Sequence, residues 1–466
     1  MPSSTPTVSR FARLLNRSAQ IEPQERRAVA LAFLCNFMVL ASYYILRPVR
    51  DTVATVFGTE QLQLLFTGTF VCTLIASPLY VLLASWLQLR RLLPGVFWFW
   101  TLNVLLFQGL FHLAPQSRLL AGIYFVWFST VNLFMISVFW SLMVDLFSAR
   151  QATRLFSLIA AGGTLGAIAG PAVTHVAVRG VGLPGLLSIA AGGFLIVIVL
   201  VHLLMREKDR LHARGAEVQS SRLDHALTGN PFDGFLEVIK STFSRNQAAF
   251  MLLMTWVNTV AYFVQTDVIA SAFPTVEGRA VAIADIALVV NVCAAAILLF
   301  GLGRFVHRFG VTAALLLNPI IMLVAFVGLA LAPTLLMIQA LQVVRQVSQY
   351  AIARPSREIC FTVVPQGSRY KSKNVIDTVI YRFGDLTGAW MQTGLRAAGL
   401  RIFGSAVAGF GLSALWGVAA VLLGRRYEGL RAQQSQAQAA QQDGAGEDRE
   451  AVGARPGSAR TDEFLT

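Results

Sequence analysis

The chain has 466 residues, of which 55% are hydrophobic and 13% are charged, about half the charged share of an ordinary soluble protein. This composition excludes a typical soluble enzyme and predicts a polytopic membrane protein. A net charge of +14 would suggest a nucleic-acid partner for a soluble protein, but here the basic residues cluster between apolar spans. In that position they set the topology and contact anionic lipid, so we expect the lipid bilayer and no nucleic acid as a partner.

Long apolar stretches recur along the chain. Because a bilayer core requires roughly 20 apolar residues, we count twelve membrane spans and expect an all-α fold of two six-helix bundles. Basic loops alternate with loops poor in charge, which predicts cytoplasmic termini. The predicted parts are a basic cytoplasmic tail, a first bundle, a central cytoplasmic loop, a second bundle and a disordered cytoplasmic tail, at residues 1–27, 28–205, 206–247, 248–424 and 425–466.

The first span, at about residues 28–46, ends in an unusual run of cations. Arg47 and Arg50 lie at its outer end, which conflicts with the rule that basic residues stay on the cytoplasmic side. We therefore predict a role in substrate binding rather than in topology. Four polar residues share a narrow arc if the helix continues: Asn36, Tyr43, Arg47 and Arg50.

The fifth span contains Gly162, Gly166 and Gly170, one glycine every four residues. In membranes this spacing lets two helices approach closely, and we favour helix packing over ligand binding as its purpose.

The central loop contains a helix signal at Asn230 and Pro231. The apolar residues after it share one face, which is typical of an amphipathic helix on the inner membrane surface; a partner-binding site is the alternative. Those apolar residues are Phe232, Phe235, Leu236, Ile239 and Phe243.

The tenth span carries a buried cation. Arg345 lies about twelve residues into it, roughly 18 Å deep at 1.5 Å per residue, among three glutamines. We predict that Arg345 lines a cavity. The alternative is a buried ion pair with an acid such as Asp145 or Asp267.

The stretch at residues 354–388 places charges inside the eleventh span. Such charges cost a few kcal/mol each and usually face a bundle interior or a water-filled cavity. We predict that Lys371 and Lys373 attract an anion, that Arg382 binds it, and that Asp385 holds Arg382 when the site is empty. The alternative is that Arg382 and Asp385 only pair and rigidify the bundle. A helical wheel collects the polar residues on one arc: Asn374, Asp377, Thr378, Tyr381, Arg382, Asp385 and Gln392.

This stretch reads RPxRE…FTVV…RYKxKNxIDTxxYRxGD, and the first span carries YYILRPVRD at Tyr43–Asp51. The pattern resembles the bacterial ATP/ADP translocase family of nucleotide-exchange transporters, distant members of the major facilitator superfamily, from Glu25 to about Arg425. The resemblance implies two six-helix bundles and a nucleotide substrate. The candidate substrate-binding residues are Asn36, Tyr43, Arg47, Arg50, Arg345, Arg354, Arg357, Lys371, Lys373, Asn374, Asp377, Tyr381, Arg382 and Asp385.

The sequence contains no GxxxxGK[ST] loop and no HExxH or GxSxG element, so we expect neither nucleotide hydrolysis nor another enzymatic activity, and no cofactor. The favoured interpretation is a monomeric secondary transporter of an anionic, phosphate-bearing metabolite in a bacterial inner membrane. A proton-coupled transporter of another solute is the second, with Asp267, Asp285 or Asp385 titrating. A membrane-embedded enzyme or scramblase-like protein is the third, but the sequence shows no nucleophile or metal cluster for it.

Overall fold

The computed structural model describes residues 22–58, 60–86, 89–213, 233–364, 372–373, 375–400 and 402–453. The first bundle contains six helices. Its last two form one continuous segment, Ala149–Ala213, which Gly182 divides. Gly182 has φ +66°, a left-handed value that only glycine adopts without strain. The helices are α1 (Arg26–Phe57), α2 (Leu62–Trp86), α3 (Leu89–Leu113), α4 (Arg118–Leu146), α5 (149–181) and α6 (183–213).

The second bundle also contains six helices and follows a short helix, α7 (Asp233–Lys240). Two of the six contain π-helical turns, at Gln349–Ala353 in α11 and at Val375–Ile380 in α12. π-helical turns are rare and occur mostly at functional sites. The six helices are α8 (Thr242–Ala272), α9 (Val276–Phe300), α10 (Leu302–Leu331), α11 (335–360), α12 (375–397) and α13 (Ile402–Gly453).

The all-α fold with twelve membrane helices is confirmed. Within the described ranges, nine segments are long and apolar enough to cross a membrane, and one of them carries both α5 and α6. The remaining two, α11 and α12, are interrupted by their π-helical turns and carry most of the charged residues predicted to bind substrate. Because neighbouring helices alternate in direction, α1 begins and α13 ends on the same side of the bundles. We name it the terminal side and its opposite the far side.

Each bundle has its own aromatic core. Trp100, Phe128 and Phe194 are buried in the first bundle, and Phe250 and Trp416 are buried in the second. Many large apolar side chains remain exposed on the outside, as expected where lipid replaces water as the solvent.

The glycines of α5 pack against the α1 backbone, as predicted. A Cβ atom at Gly166 would lie 2.2 Å from the carbonyl oxygen of Phe37, and Gly162 and Gly170 meet the α1 backbone in the same way. No larger residue fits such a close contact. It fixes α1 firmly against α5 and thereby positions the polar residues of α1.

The amphipathic helix is shorter than predicted. It ends at Lys240, because Ser241 caps the next helix by accepting a hydrogen bond from the backbone N–H of Ser244. Phe243 therefore belongs to α8 and is buried in the second core, so its assignment to the membrane-surface helix was wrong. Residues 230–232 lie outside the described residues.

The prediction of disorder from residue 425 onward is also wrong as far as Gly453. The α13 helix continues to that residue, because the Ala, Gln, Arg and Glu residues of this region are strong helix formers. The turn of α13 that follows residue 425 packs on the bundle: Tyr427 is buried, and Glu428 accepts a 2.5 Å hydrogen bond from the Thr312 hydroxyl. Likewise, α6 extends to Ala213 and so occupies the start of the predicted central loop.

Candidate functional site

A cation of α1 reaches across to α11 in the middle of the molecule. The Arg47 guanidinium donates hydrogen bonds to Gln346 Oε1 at 3.2 Å and to the Tyr350 hydroxyl at 2.6 Å. It also lies 5.6 Å from the ring centroids of Tyr44 and Tyr350, within range of a cation–π interaction. The α1 helix continues through Pro48, so Arg50 and Asp51 lie on the same helix as Arg47.

Arg345 lies nearby and is only 8% exposed. Its guanidinium donates to Gln342 Oε1 at 2.7 and 3.0 Å, to Asn258 Oδ1 at 2.9 Å and to Gln349 Oε1 at 3.5 Å. All of these partners are neutral carboxamides. Within the described residues, no carboxylate forms an ion pair with Arg345, so its charge is solvated by the protein but not neutralised.

The alternative of a buried ion pair between Arg345 and an acid is therefore wrong for both acids considered. Asp145 accepts a hydrogen bond from Lys208, and Asp267 accepts one from Arg396. Both carboxylates are thus matched with other cations. Asp267, a candidate for ion coupling, joins α8 to α12 within the second bundle.

Arg354 completes a group of cations around one tyrosine. Its guanidinium lies 4.9 Å from the Tyr350 ring centroid, and all three arginines act electrostatically on the Tyr350 hydroxyl. In the part of the chain that the structure describes, none of the three forms an ion pair. We name Arg47, Arg345, Arg354 and Tyr350 the arginine cluster. Tyr350 was not predicted, although Gln346, Tyr350 and Arg354 recur every four residues and so share a face.

Two cavities adjoin the arginine cluster. The smaller, about 40 Å³, lies between Arg47, Arg50 and Arg345. The larger, about 280 Å³, lies between the two bundles and is lined by Tyr44 and Tyr350 together with residues of α4, α5 and α9. The cluster therefore lines cavities of both sizes.

Arg50 differs from Arg47 because it has a carboxylate partner. Its Nε donates to Asp51 Oδ1 at 2.9 Å, and the Tyr262 hydroxyl of α8 donates to the same oxygen at 3.1 Å. The Arg50 guanidinium also lies 5.1 Å from the Phe125 ring centroid. Asp51 and Tyr262 thus join the bundles beside the arginine cluster, and neither was predicted as a site residue.

The other two residues of the predicted α1 arc contact the first bundle. Asn36 Nδ2 donates to the carbonyl oxygen of Ile159 at 2.9 Å, and the Tyr43 ring stacks on Phe128 at 5.4 Å. Asn36 nevertheless lines the larger cavity.

A second group of charges lies at the terminal side of α11 and α12. Arg357 donates to Asp377 Oδ1 at 2.6 Å and to Glu358 Oε1 at 3.4 Å, and Lys373 Nζ donates to Glu358 Oε2 at 2.6 Å. We name these four residues the ion network. Here each cation contacts a carboxylate, so the network is internally neutralised.

Asp377 was predicted to face the same arc as Arg382. The wheel at 100° per residue does not hold in the π-helical turn Val375–Ile380, because each turn there contains an additional residue. The structure pairs Asp377 with Arg357 instead. Lys371 and Asn374 lie outside the described residues.

Arg382 points between the bundles. It donates to Asp385 Oδ2 at 3.4 Å and to the backbone carbonyl oxygen of Ser129, on α4 of the first bundle, at 2.6 Å. Its guanidinium lies 5.7 Å from the Tyr381 ring centroid. Arg382 and Asp385 therefore pair as predicted, but the pair also connects the two bundles.

The candidate coupling residue Asp285 contacts the opposite bundle. Its Oδ1 lies 2.5 Å from Nδ1 of His175 on α5, and both side chains are about half exposed. The sequence offered no signal for His175, because its partner is 110 residues away.

Hydrogen bonds between the bundles concentrate away from the terminal side. In each bond, the residue of the first bundle lies in the far half of its helix. Apolar contacts agree, because Phe263 and Ala280, both from the far halves of their helices, join the first core. Among the described residues, hydrogen bonds therefore join the bundles through the far halves of the first-bundle helices. The first-bundle residues are Arg47, Asp51, Thr55, Thr67, Ser129, Ala167 and His175.

Known transporters share this arrangement of helices. The family model of the Major Facilitator Superfamily matches residues 32–350. The nucleoside transporter NupG superposes with a TM-score of 0.55 at 11% identity, covering 87% of this chain and 99% of that one. A bacterial homologue of the human lysosomal transporter Spinster, inward-facing and unoccupied, gives 0.54 at 15% identity, covering 87% and 97%. A POT family transporter in complex with a thioalcohol-conjugated peptide gives 0.57 at 11% identity, covering 85% and 95%. At these identities the likeness shows the fold alone. No curated protein sequence matches the chain.

Proposed function

We propose that the substrate of this chain is an anionic, phosphate-bearing metabolite. The chain belongs to the Major Facilitator Superfamily, and it is a secondary membrane transporter rather than an enzyme. One observation carries the proposal: Arg345 is buried between the bundles, and among the described residues it has carboxamide partners but no carboxylate. Among the described residues, Arg47 and Arg354 likewise form no ion pair with an acid.

An anion would supply the charge that the arginine cluster lacks. Removing a cation from water costs several kcal/mol even after the protein relaxes, and carboxamide oxygens offset only part of that cost. Guanidinium groups bind phosphate and carboxylate oxygens in a bidentate manner. Three of them around one tyrosine match the several oxygens of a phosphate group better than the two of a carboxylate.

Alternating access accounts for the pattern of contacts between the bundles. Among the described residues, hydrogen bonds join the bundles through the far halves of the first-bundle helices. We propose that the cluster opens to the terminal side, whose basic loops favour a cytoplasmic location. If the far side is to open, three contacts must break. Asp51 and His175 must lose their contacts with the second bundle, and Arg382 must lose its contact with the first. Substrate bound to the cluster would offset that cost by joining α1 to α11.

More specifically, we propose that the substrate is a nucleotide. The full proposal is that a monomer exchanges ATP and ADP across a bacterial inner membrane. The support is the resemblance of YYILRPVRD and of residues 354–388 to nucleotide-exchange transporters. Two of the three cluster arginines, Arg47 and Arg354, lie within these motifs.

Calorimetric binding to purified protein tests the proposal. We expect inorganic phosphate, ADP and a sugar phosphate to bind, and to bind more weakly as salt concentration rises. Adenosine and the free sugar should bind at least tenfold more weakly. Equal binding of the charged and uncharged members of each pair would overturn an anionic substrate, and preference for the sugar phosphate over ADP would overturn the nucleotide.

Proton-coupled transport of another small solute is the alternative. It is favoured by the contact between His175 and Asp285 across the bundles, because histidine side chains serve as proton shuttles. Proton uptake by reconstituted vesicles separates the two: substrate-driven alkalinisation of the medium supports coupling, whereas substrate exchange without proton movement excludes it.

A further inference from the structure

The larger cavity begins where the arginine cluster ends. Tyr44 and Tyr350, the rings on which the cluster arginines lie, form one end of this cavity of about 280 Å³. The other walls are mostly apolar and aromatic, with Leu40, Phe139 and Trp140 among them. A substrate anchored by its anion on the cluster therefore has room for an uncharged part in this cavity.

Two asparagines interrupt the apolar wall. Asn36 Nδ2 donates to the Ile159 carbonyl oxygen at 2.9 Å, and Asn291 Nδ2 donates to the Ala167 carbonyl oxygen at 2.6 Å. Because a carbonyl accepts but cannot donate, each carboxamide must turn its NH₂ group toward the helix and its oxygen away. Neither oxygen has a hydrogen-bond partner among the described residues, and neither is fully buried. The cavity thus presents two acceptor oxygens, and the orientation of each is fixed by a hydrogen bond that its own NH₂ group donates to a helix carbonyl.

We infer that the transporter selects an anion whose uncharged part carries hydrogen-bond donors, and that the carboxamide oxygens of Asn36 and Asn291 recognise those donors. This inference rests on the proposed function, because the anion must first bind to the arginine cluster. Asn36 and Tyr44 are eight residues apart on α1, about 12 Å at 1.5 Å per residue. The substrate is accordingly elongated, with its anion at the cluster and its donors toward the terminal side.

Selectivity follows from the cost of an unmade hydrogen bond. A ligand group without donors would fill the cavity and remove water from the two oxygens without replacing its hydrogen bonds. Leaving a buried acceptor unsatisfied is unfavourable, and a site built for a hydrogen bond rejects the analogue that lacks the donor. We expect one lost bond to correspond to a preference of about tenfold, which is about 1.4 kcal/mol.

The test compares two isosteric probes on the full-length protein, 4′-aminobiphenyl-4-phosphonate and 4′-methylbiphenyl-4-phosphonate, whose two rings carry the amino or methyl group past Tyr44 toward the asparagines. We expect wild type to bind the amino compound about tenfold more tightly. In Asn291→Leu, which keeps the branched shape of the side chain but removes the acceptor, this ratio should fall to within about twofold of one. A wild-type ratio near one overturns the inference without any variant, so the test does not depend on whether Asn291→Leu folds.

Asn103→Leu is the matched control, because Asn103 Nδ2 also donates to a backbone carbonyl, that of Phe99, but from an exposed position on α3. It should keep the wild-type ratio; a ratio that falls equally in both variants, or that persists in Asn291→Leu, overturns the role of Asn291. Inorganic phosphate separates the two proposals. If phosphate binds but the probe ratio is one, only this inference fails; if neither phosphate nor either probe binds, the anionic substrate fails.

Discussion

The arginine cluster and the ion network both contain arginines of α11, yet these arginines differ in pairing. In the network, Arg357 and Lys373 contact carboxylates of Asp377 and Glu358 at 2.6 Å. In the cluster, Arg345 contacts only carboxamides among the described residues. Both Arg345 and Arg357 are buried, at 8% and 6% exposure. Burial alone therefore does not distinguish a structural arginine from one available to a ligand.

The difference assigns separate tasks to the two groups. A buried cation with a carboxylate partner is already neutralised, and removing the cation leaves an uncompensated acid. A buried cation surrounded by carboxamides keeps its charge, and a mobile anion can neutralise it. We therefore expect substitutions in the network to change stability and substitutions in the cluster to change binding.

Arg345→Gln should produce the largest effect on binding. The substitution removes the most deeply buried unpaired charge of the cluster, and we expect phosphate affinity to fall by about a hundredfold, or about 2.7 kcal/mol. The melting temperature should change little, because glutamine is polar and no carboxylate loses its partner. Calorimetry and a thermal melt on the same sample measure both quantities. Unchanged binding with a much lower melting temperature would instead assign Arg345 to the structure.

Arg382 represents an intermediate case, because its carboxylate partner Asp385 is 3.4 Å away and its shorter bond, 2.6 Å, is to the Ser129 carbonyl oxygen of the opposite bundle. We expect Arg382→Ala to abolish transport into vesicles while reducing substrate binding by less than tenfold. Asp385→Asn should release Arg382 and change affinity or coupling. A double variant that transports like wild type would contradict any role for the pair in the transport cycle.

Arg357→Gln should show the opposite pattern to Arg345→Gln. Asp377 would lose its 2.6 Å partner, but its side chain is 31% exposed, so water partly compensates. We expect a loss of about 1–2 kcal/mol of stability and at most a twofold change in phosphate binding. Adding Asp377→Asn to this variant should recover part of the melting temperature, since the unpaired acid is then removed. No recovery would mean that the pair does not stabilise the bundle.

The helix count and the exceptional cations of α1 were predictable, because apolar length and a violated topology rule are local properties of the sequence. Pairing was not. Arg47 meets Tyr350 across 303 residues of sequence, and no spacing rule connects them. The carboxamides around Arg345 were noticed as neighbours on α11, but Asn258 comes from α8.

The π-helical turns mark where an α-helical wheel no longer applies. The wheel assumes an α-helix throughout the eleventh span, whereas Val375–Ile380 is π-helical, and there Asp377 accepts a hydrogen bond from Arg357 of α11. The sequence has no proline or glycine at Val375–Ile380 that would indicate an interrupted α-helix.

Arg354→Gln should produce the smallest effect and sharpen the description of the cluster. Arg354 is exposed at the terminal side and contacts the Tyr350 ring at 4.9 Å. Because water and salt screen an exposed charge, we expect only a two- to fivefold loss of phosphate affinity at low salt, which should disappear near 1 M salt. Arg345→Gln should retain most of its loss at high salt, because a buried charge is screened less. Arg308→Gln is the control, since Arg308 is equally exposed and lies 5.7 Å from the Phe309 ring centroid, outside the cluster. If Arg308→Gln weakens binding as much as Arg354→Gln, the effect reflects net charge, and the cluster then consists of Arg47, Arg345 and Tyr350 only.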